Sequence, residues 1–147
     1  MRLIIQRVSS ASVTVDGKIV GQCGRGLCLL AGVKVGDTPA EAEWLANKVA
    51  NLRVFDDDEG KLNRSILDVN GEALVVSQFT LYADARKGRR PAFIEAEVPE
   101  KAQPLFSHFV DRLRAEGVPV HTGVFQTIMQ VEIHNDGPIT IILEKEA

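Results

Sequence analysis

Polar side chains interrupt a short apolar run near the centre of the chain. Residues 73–76, Ala-Leu-Val-Val, have the composition of a strand that is buried on both faces. Ser77, Gln78 and Thr80 follow directly. Because hydroxyl and amide groups are costly to bury without partners, we expect this strand end to line a cleft where a ligand or ordered water satisfies them. On this stretch alone, an ordinary half-exposed strand is the alternative.

A Ser-His-Asp hydrolase is the first enzyme class that these residue types suggest. The chain offers Ser77 together with His108, His121 and His134. The Gly-x-Ser-x-Gly turn of many serine hydrolases is missing, and a hydrogen-bonded structural histidine is at least as common in strands as a catalytic base. The sequence also places no Lys, His or N-terminal amine to activate Thr80. A triad is therefore disfavoured, and Thr80 as a covalent nucleophile stays open as an alternative.

The second unusual stretch, residues 135–140, reads Asn-Asp-Gly-Pro-Ile-Thr. Its Gly137-Pro138 step removes one backbone donor and frees carbonyl groups, and X-Pro bonds are the main place where cis peptides occur. We expect it to join two strands at residues 129–134 and 139–143. From the residues alone, a hairpin turn that contains Gly-Pro is the simpler interpretation.

A basic run, Arg-Lys-Gly-Arg-Arg-Pro, begins two residues after Asp84. Its four cations are Arg86, Lys87, Arg89 and Arg90. A short run of charge is typical of a solvated loop, but its closeness to the polar strand end also allows contact with phosphates. Both interpretations stay open at this point.

Length and composition indicate one globular domain over residues 1–147, with 45% hydrophobic and 25% charged residues. The formal net charge of −3 argues against a general nucleic-acid binder, although it allows a local basic patch. Gln6 and Arg7 interrupt the early apolar cluster well short of a signal-peptide core, and no run approaches a membrane-spanning length. We therefore expect a soluble cytoplasmic protein without membrane contacts.

Neither the cysteines nor the glycine-rich and acidic turns indicate a bound ion or cofactor. Cys23 and Cys28 are the only cysteines, and they lack the companion ligands of a zinc site, so we expect reduced thiols. Residues 21–26 are glycine-rich but lack the Lys-Ser/Thr ending of a phosphate loop. Residues 56–60 are acidic but lack the closing acid of a calcium loop. We expect no metal and no cofactor.

Local signals place the first elements. Alternating residues 2–15 and a short run at 18–20 flank Asp16-Gly17, a strong hairpin signal. Residues 27–31 indicate a buried strand, and residues 53–55 a short one. A capping box from Thr38 to Glu41, with proline at position 39, starts a first helix.

A second helix is predicted over residues 99–116, with Gly117 as its C-terminal cap and an apolar stripe that belongs to the core. A strand follows at residues 118–121. The chain therefore predicts a single-domain α/β fold: a mixed, largely antiparallel sheet or partial barrel covered by two helices.

Four separated stretches, in the same order, resemble the D-aminoacyl-tRNA deacylase family. They are residues 7–13, Arg-Val-Ser-Ser-Ala-Ser-Val; residues 77–84, Ser-Gln-Phe-Thr-Leu-Tyr-Ala-Asp; the basic run at 86–91; and residues 135–140. The similarity spans essentially the full length, and four motifs in order are specific where a lone Ser-Gln-Phe-Thr is not.

The resemblance implies a homodimer that hydrolyses the ester between a D-amino acid, or glycine, and the 3′ end of a tRNA, as chiral proofreading in translation. It implies that Ser77, Gln78, Phe79 and Thr80 of one subunit line the ester as the catalytic stretch. Gly137 and a cis Pro138 of the other subunit would read chirality through their carbonyl groups. The site would thus lie across the interface.

The resemblance assigns further substrate contacts. Arg7 would fix the Gly-Pro pair, Met129 would bind substrate, and the cations of the basic run would contact tRNA. The chain departs from the family at residues 126–128, Gln-Thr-Ile, where members usually carry Gly-Ala after the phenylalanine. A noncatalytic module that binds RNA ends through the basic run is the alternative from another functional class.

Overall fold

Eight strands and two α-helices make up the fold in the computed structural model, which describes residues 1–147. In chain order they are β1 (Arg2–Val15), β2 (Lys18–Cys23), β3 (Gly26–Gly32), α1 (Pro39–Asn51), β4 (Phe55–Asp56), β5 (Leu62–Arg64), β6 (Glu72–Ser77), α2 (Pro99–Ala115), β7 (Val120–Thr122) and β8 (Gln130–Glu144). A 3-10 turn over Phe79–Tyr82 follows β6. Neither helix is long and apolar enough to cross a membrane.

The main sheet is mixed. Its strand order is β2-β1-β3-β6-β7, and β8 pairs with β1. Strand β1 runs antiparallel to β2, β3 and β8, whereas β3, β6 and β7 run parallel to one another. Strand β1 is long enough to pair with β3 through its first half and with β2 through its second. The predicted α/β class with a partial barrel and two helices is confirmed.

Strand β6 is buried on both faces, as its composition predicts. Ala73 and Val75 belong to the larger apolar cluster, which includes the buried faces of both helices. Leu74 and Val76 belong to a smaller cluster of seven residues on the other face of the sheet. Because each face is closed by apolar neighbours, this strand gives the polar residues at its end a rigid base.

The helices begin where the sequence signals place them. In α1, the Thr38 N–H donates to the Glu41 carboxylate at 2.7 Å, which completes one half of the capping box. Helix α2 ends one residue earlier than predicted, and Gly117 follows in the left-handed region with φ +102°. The phenylalanines Phe106 and Phe109 of α2 are buried in the core, as expected.

The structure differs from the predicted strands in four places. Strand β5 was not predicted, because Leu62–Arg64 is mostly polar. It forms a strand only through antiparallel pairing with β4 across an acidic turn. Strand β4 begins at Phe55, two residues later than predicted, and β7 lies over Val120–Thr122 instead of residues 118–121. The two strands predicted at 129–134 and 139–143 form one strand, β8.

Both cysteines are free and buried, in agreement with the expected reduced thiols. Burial raises the pKa of the Cys23 thiol to about 11. It raises the pKa of the Cys28 thiol to about 12. Both groups are therefore neutral near pH 7 and behave as small apolar side chains.

A close approach at Gly21 brings the barrel near closure. Strand β2 passes β7 so tightly that a Cβ atom at Gly21 would lie 2.2 Å from the Thr122 carbonyl oxygen. The Cβ position at Gly21 and the Thr122 carbonyl are both fixed by the backbone, so neither can rotate away as a flexible side chain would. By contrast, a Cβ atom at nearby Gly24 would meet only the Glu72 carboxylate at 3.4 Å.

We therefore expect Gly21→Ala to lower the free energy of unfolding by about 2–3 kcal/mol, since the added methyl group forces β2 and β7 apart. Gly24→Ala is the matched control and should change it by less than about 0.5 kcal/mol. Urea unfolding followed by circular dichroism measures both. Equal losses in the two variants would show that the barrel does not depend on this contact.

Candidate functional site

A cleft of about 540 Å³ opens at the carboxyl end of β6. Ten of its 16 lining residues are hydrophobic, including three phenylalanines. The polar lining residues are Ser77, Gln78, Glu97, Gln126 and Thr127. A mostly apolar cavity of this size, with few polar groups, is typical of a site for a small organic ligand or one end of a larger one.

The polar strand end lies in the wall of this cleft, as the sequence predicts for Ser77 and Gln78. Gln78 leaves the strand ladder with φ −142° and ψ 81°, although its N–H still donates to the Ala31 carbonyl at 2.8 Å. Phe79 also lines the cleft. Thr80 does not: it is exposed, and its hydroxyl accepts a hydrogen bond from the Gln78 side-chain amide.

The histidines form no catalytic pair with these hydroxyl groups. His121 Nε2 lies 3.1 Å from Glu72 Oε1, and His108 Nε2 lies 2.9 Å from Glu43 Oε1. His134 lies on β8 in register with Ser10. The pKa of Glu72 is lowered, mainly because its carboxylate accepts from the Gly24 N–H and also contacts His121. The arrangement contains no Ser-His-Asp triad.

The Gly-Pro stretch forms a bulge within β8, not a hairpin turn. Strand β8 pairs Thr140 with Gln6 and Asn135 with Val8, so residues 136–139 stand opposite the single residue between them on β1. A hairpin turn would have reversed the chain, whereas β8 continues in the same direction on both sides. The simpler interpretation from the residues was therefore wrong, and the reason is the long-range pairing with β1.

Arg7 is the residue opposite the bulge. Its side chain is buried, and its Nε donates to the Asp136 carbonyl at 3.0 Å. Its Nη1 donates to the Val54 carbonyl at 3.1 Å and to Asp56 Oδ1 at 3.3 Å. The guanidinium group thus ties the bulge to the chain segment that leads into β4, as the planar fork of an arginine allows.

The tip of the bulge is exposed. The Gly137–Pro138 peptide bond is cis, as the resemblance implies, and Gly137 has φ +136°. A Cβ atom at Gly137 would lie 3.1 Å from the Ile139 nitrogen and 3.2 Å from Arg7 Nη2. Neither Gly137 nor Pro138 lines the cleft. Within one chain, the tip at Gly137 and Pro138 is therefore separate from the polar end of β6 at Ser77 and Gln78.

Met129 and the unusual stretch before it lie at the cleft. Met129, Phe125, Gln126 and Thr127 line it, whereas Ile128 is 95% exposed. Gln126 adopts φ +60°, in the left-handed region that is uncommon for residues other than glycine, asparagine and aspartate. The departure from the family pattern therefore puts a larger polar side chain at the rim of the cavity.

The basic run is a fully exposed loop beside the cleft. The Arg86 guanidinium contacts both oxygens of Asp84, at 2.9 and 2.8 Å, and holds the pKa of that carboxyl at about 2. Lys87, Arg89 and Arg90 are exposed, and no ion pair engages them. Just after the loop, the ring of Phe93 packs against that of Phe79 at a centroid distance of 5.2 Å.

Phe93 and Glu97 are among the lining residues that the sequence analysis missed. Both lie in an irregular segment without periodicity, and they reach the cleft because residues 95–97 hydrogen-bond beside the chain that leaves β3. No local signal in the sequence indicates this pairing. No group of three or more His, Cys, Asp or Glu side chains is arranged to hold a metal ion.

Comparisons with known proteins give a consistent result. A family model described as D-Tyr-tRNA(Tyr) deacylase matches residues 4–144. A Thermomicrobium roseum protein named D-aminoacyl-tRNA deacylase is 63% identical over 144 residues, which cover 98% of this chain and 94% of that protein. A protein of the same name from Roseiflexus castenholzii is 61% identical, with 98% and 92% covered.

Two solved structures share the fold. One, described as c-Myc DNA Unwinding Element Binding Protein, superposes with a TM-score of 0.93 at 42% identity and covers 100% of both chains. The other, described as a probable eukaryotic D-amino acid tRNA deacylase, has a TM-score of 0.82 at 18% identity and covers 97% of both chains. At that identity, the second likeness concerns the fold alone.

The contacts of Arg7 predict a specific loss on substitution. Arg7→Lys keeps the charge but replaces the guanidinium fork with a single ammonium group, which cannot reach the bulge and the β4 segment together. We expect the free energy of unfolding, measured with urea, to fall by about 2 kcal/mol. Arg53→Lys is the control, since Arg53 is exposed. Equal effects would mean that Arg7 contributes no more than a surface arginine.

Proposed function

The chain belongs to the D-Tyr-tRNA(Tyr) deacylase family and is an ester hydrolase that acts on D-aminoacyl-tRNA, and we propose that its cleft at the end of β6 holds the aminoacylated 3′ end during that reaction. Water is added across the ester, which gives a free amino acid and a tRNA with a free terminal ribose hydroxyl. We further propose that glycine on a mischarged tRNA is also a substrate. The enzyme would then serve as a chiral proofreader in the cytoplasm, where tRNA is used.

One observation supports this assignment most: the polar end of a strand buried on both faces opens into a mostly apolar cavity. Ser77 and Gln78 line the cavity together with the rings of Phe79, Phe93 and Phe125. Aromatic faces suit the terminal adenine, because a nucleobase stacks on them. The hydroxyl and amide groups suit the ribose and the ester. Met129, on the same wall, is then a contact of the terminal nucleoside.

The proposed mechanism uses orientation and an oxyanion site, not a protein nucleophile. Phe79 lines the cleft and opens the 3-10 turn, so its N–H group has no acceptor within the turn. Such backbone donors stabilise the oxyanion of a tetrahedral intermediate, by about 3 kcal/mol for each donor. The 2′-hydroxyl of the terminal ribose would activate the attacking water. Thr80 would position Gln78 through the hydrogen bond between their side chains.

We propose a homodimer in which each site is built from two chains. The tip of the bulge is exposed and held by Arg7, yet it lies outside the cleft of its own chain. Strand β8 pairs on one side only, with β1, and leaves a long free edge on which Ile142 is 67% exposed. Such an edge is usually covered. A second copy of the chain supplies both the cover and the missing tip.

Chirality would be read at this tip. If the carbonyl groups of Gly137 and Pro138 from the partner face the α-carbon of the substrate, an L side chain meets the backbone of the tip, whereas the hydrogen atom of a D residue does not. Glycine carries no side chain and passes the same filter. The selection therefore works by exclusion, and it needs no pocket for any particular D side chain.

The basic loop would contact the tRNA backbone. Lys87, Arg89 and Arg90 are free to meet phosphates, whereas Arg86 is already engaged by Asp84 and its contribution is smaller. Contacts of this kind position a nucleic acid without reading its sequence. They also give binding that weakens steeply with salt. The loop lies beside the ring of Phe93, so phosphates there would be close to a base in the cleft.

The decisive test of the proposed function is release of amino acid from D-tyrosyl-tRNA and L-tyrosyl-tRNA at catalytic enzyme concentrations. We expect the D ester to be hydrolysed at least about 100-fold faster than the L ester, because only the latter is excluded by the tip. Glycyl-tRNA should be hydrolysed as well. Salt-dependent binding of tRNA without turnover would instead identify a noncatalytic RNA-end binding module.

The mechanism predicts a different response to two changes. A substrate that ends in 2′-deoxyadenosine should be hydrolysed about 100-fold more slowly, since the activating hydroxyl is gone. Thr80→Ala should keep most of its single-turnover rate, because Thr80 does not line the cleft and the variant loses only the side-chain contact that positions Gln78. Undiminished hydrolysis of the deoxy substrate would exclude the ribose hydroxyl. An acyl-enzyme trapped on the wild-type chain, and absent from Thr80→Ala, would identify Thr80 as the nucleophile.

A further inference from the structure

Glu97 is the one ionisable residue that lines the cleft. It is half-buried in the segment before α2, and its carboxylate forms no ion pair. Its only hydrogen bond is local: the Val98 N–H donates to Glu97 Oε1 at 3.0 Å. The carboxylate therefore keeps acceptor capacity for a further partner in the cavity.

The backbone fixes Glu97 close to the catalytic strand end. The Gln78 N–H donates to the Ala31 carbonyl at 2.8 Å, and the Glu97 N–H donates to the Val33 carbonyl at 3.0 Å. Carbonyls two residues apart in an extended chain point to the same side, about 7 Å from each other. Residues 95–97 thus take the place beside the β3 chain that β6 leaves at Gln78. The cleft opens where the two segments part.

The charge of Glu97 is unexpected in a cavity for an RNA end. A carboxylate is repelled by phosphates and by the oxyanion that forms during ester hydrolysis, so it is unfavourable there unless it meets a cation. The one cation that the aminoacylated ends of all tRNAs share is the α-ammonium group of the amino acid. This group is separated from the ester carbon by one carbon atom.

We propose that the Glu97 carboxylate binds the α-ammonium group of the aminoacyl ester. The inference rests on the proposed function of the cleft and adds a recognition element to it. An ion pair at this position favours esters with a free amino group over esters in which that nitrogen is acylated or replaced. The enzyme would then select aminoacyl-tRNA and spare tRNA that carries an N-acylated residue, such as a peptide.

The test compares D-alanyl-tRNA with D-lactyl-tRNA, in which a hydroxyl group replaces the ammonium group at nearly the same size. The enzymes are the wild type, Glu97→Gln and the control Glu95→Gln. Glu97→Gln keeps an acceptor for the Val98 N–H and removes only the charge. Glu95 lies two residues away and does not line the cleft. Because ratios between the two substrates are compared, their different intrinsic reactivity cancels.

We expect Glu97→Gln to reduce the wild-type preference for D-alanyl-tRNA in kcat/KM about tenfold, mainly through KM, with Glu95→Gln unchanged. A preference that is identical in wild type and Glu97→Gln would overturn the proposal. An equal loss of kcat/KM on both substrates would also overturn it, because it would mean that the Glu97 carboxylate contacts the adenine amino group or stabilises the start of α2. Failure of the wild type to hydrolyse either ester would instead refute the proposed function itself.

Discussion

The buried guanidinium group of Arg7 is the contact on which the rest of the site depends. A buried charge without partners is strongly destabilising, so its acceptors must stay in place for the chain to fold. Those acceptors come from two distant segments: the carbonyl of Val54 with the carboxylate of Asp56, and the carbonyl of Asp136. The bulge in β8 is thereby held rigidly although its tip, at Gly137 and Pro138, is exposed.

The cleft has a separate structural origin. Strands β3, β6 and β7 run parallel, and the chain turns away at the carboxyl end of β6 into a 3-10 turn. Residues 95–97 then occupy the position beside the β3 chain, which leaves an open cavity between them and Gln78. Each chain thus presents a rigid exposed tip and an open cleft that its own tip does not enter. A symmetric dimer accounts for both features, because the tip of each chain would enter the cleft of the other through the same contact.

Local chemistry made much of the fold predictable from the sequence. The Asp16-Gly17 hairpin, the capping box at Thr38 and the left-handed glycine at position 117 each depend on residues close in the chain. The polar end of β6 was predictable for a related reason, since Ser77 and Gln78 break a run that must be buried. The resemblance to a family added the site residues and the cis peptide, which composition and periodicity could not supply.

The features that were missed depend on pairing between distant residues. The bulge needs the register of β8 against β1, which brings Asn135 opposite Val8, and no local pattern encodes it. Glu97 reaches the cleft only because residues 95–97 pair with the chain after β3. Strand β5 is mostly polar and is a strand only because β4 lies beside it. In each case the partner strand, not the segment itself, determines the structure.

The most direct test of the account is subunit complementation. Ser77→Phe fills the cleft and Gly137→Val obstructs the tip, so each variant alone should be inactive on D-tyrosyl-tRNA while staying folded. Refolding the two together at equal amounts gives mixed dimers in which one site combines an intact cleft with an intact tip. The account predicts recovery of about a quarter of wild-type activity. A mixture no more active than the sum of its two components would show that the site does not cross between chains.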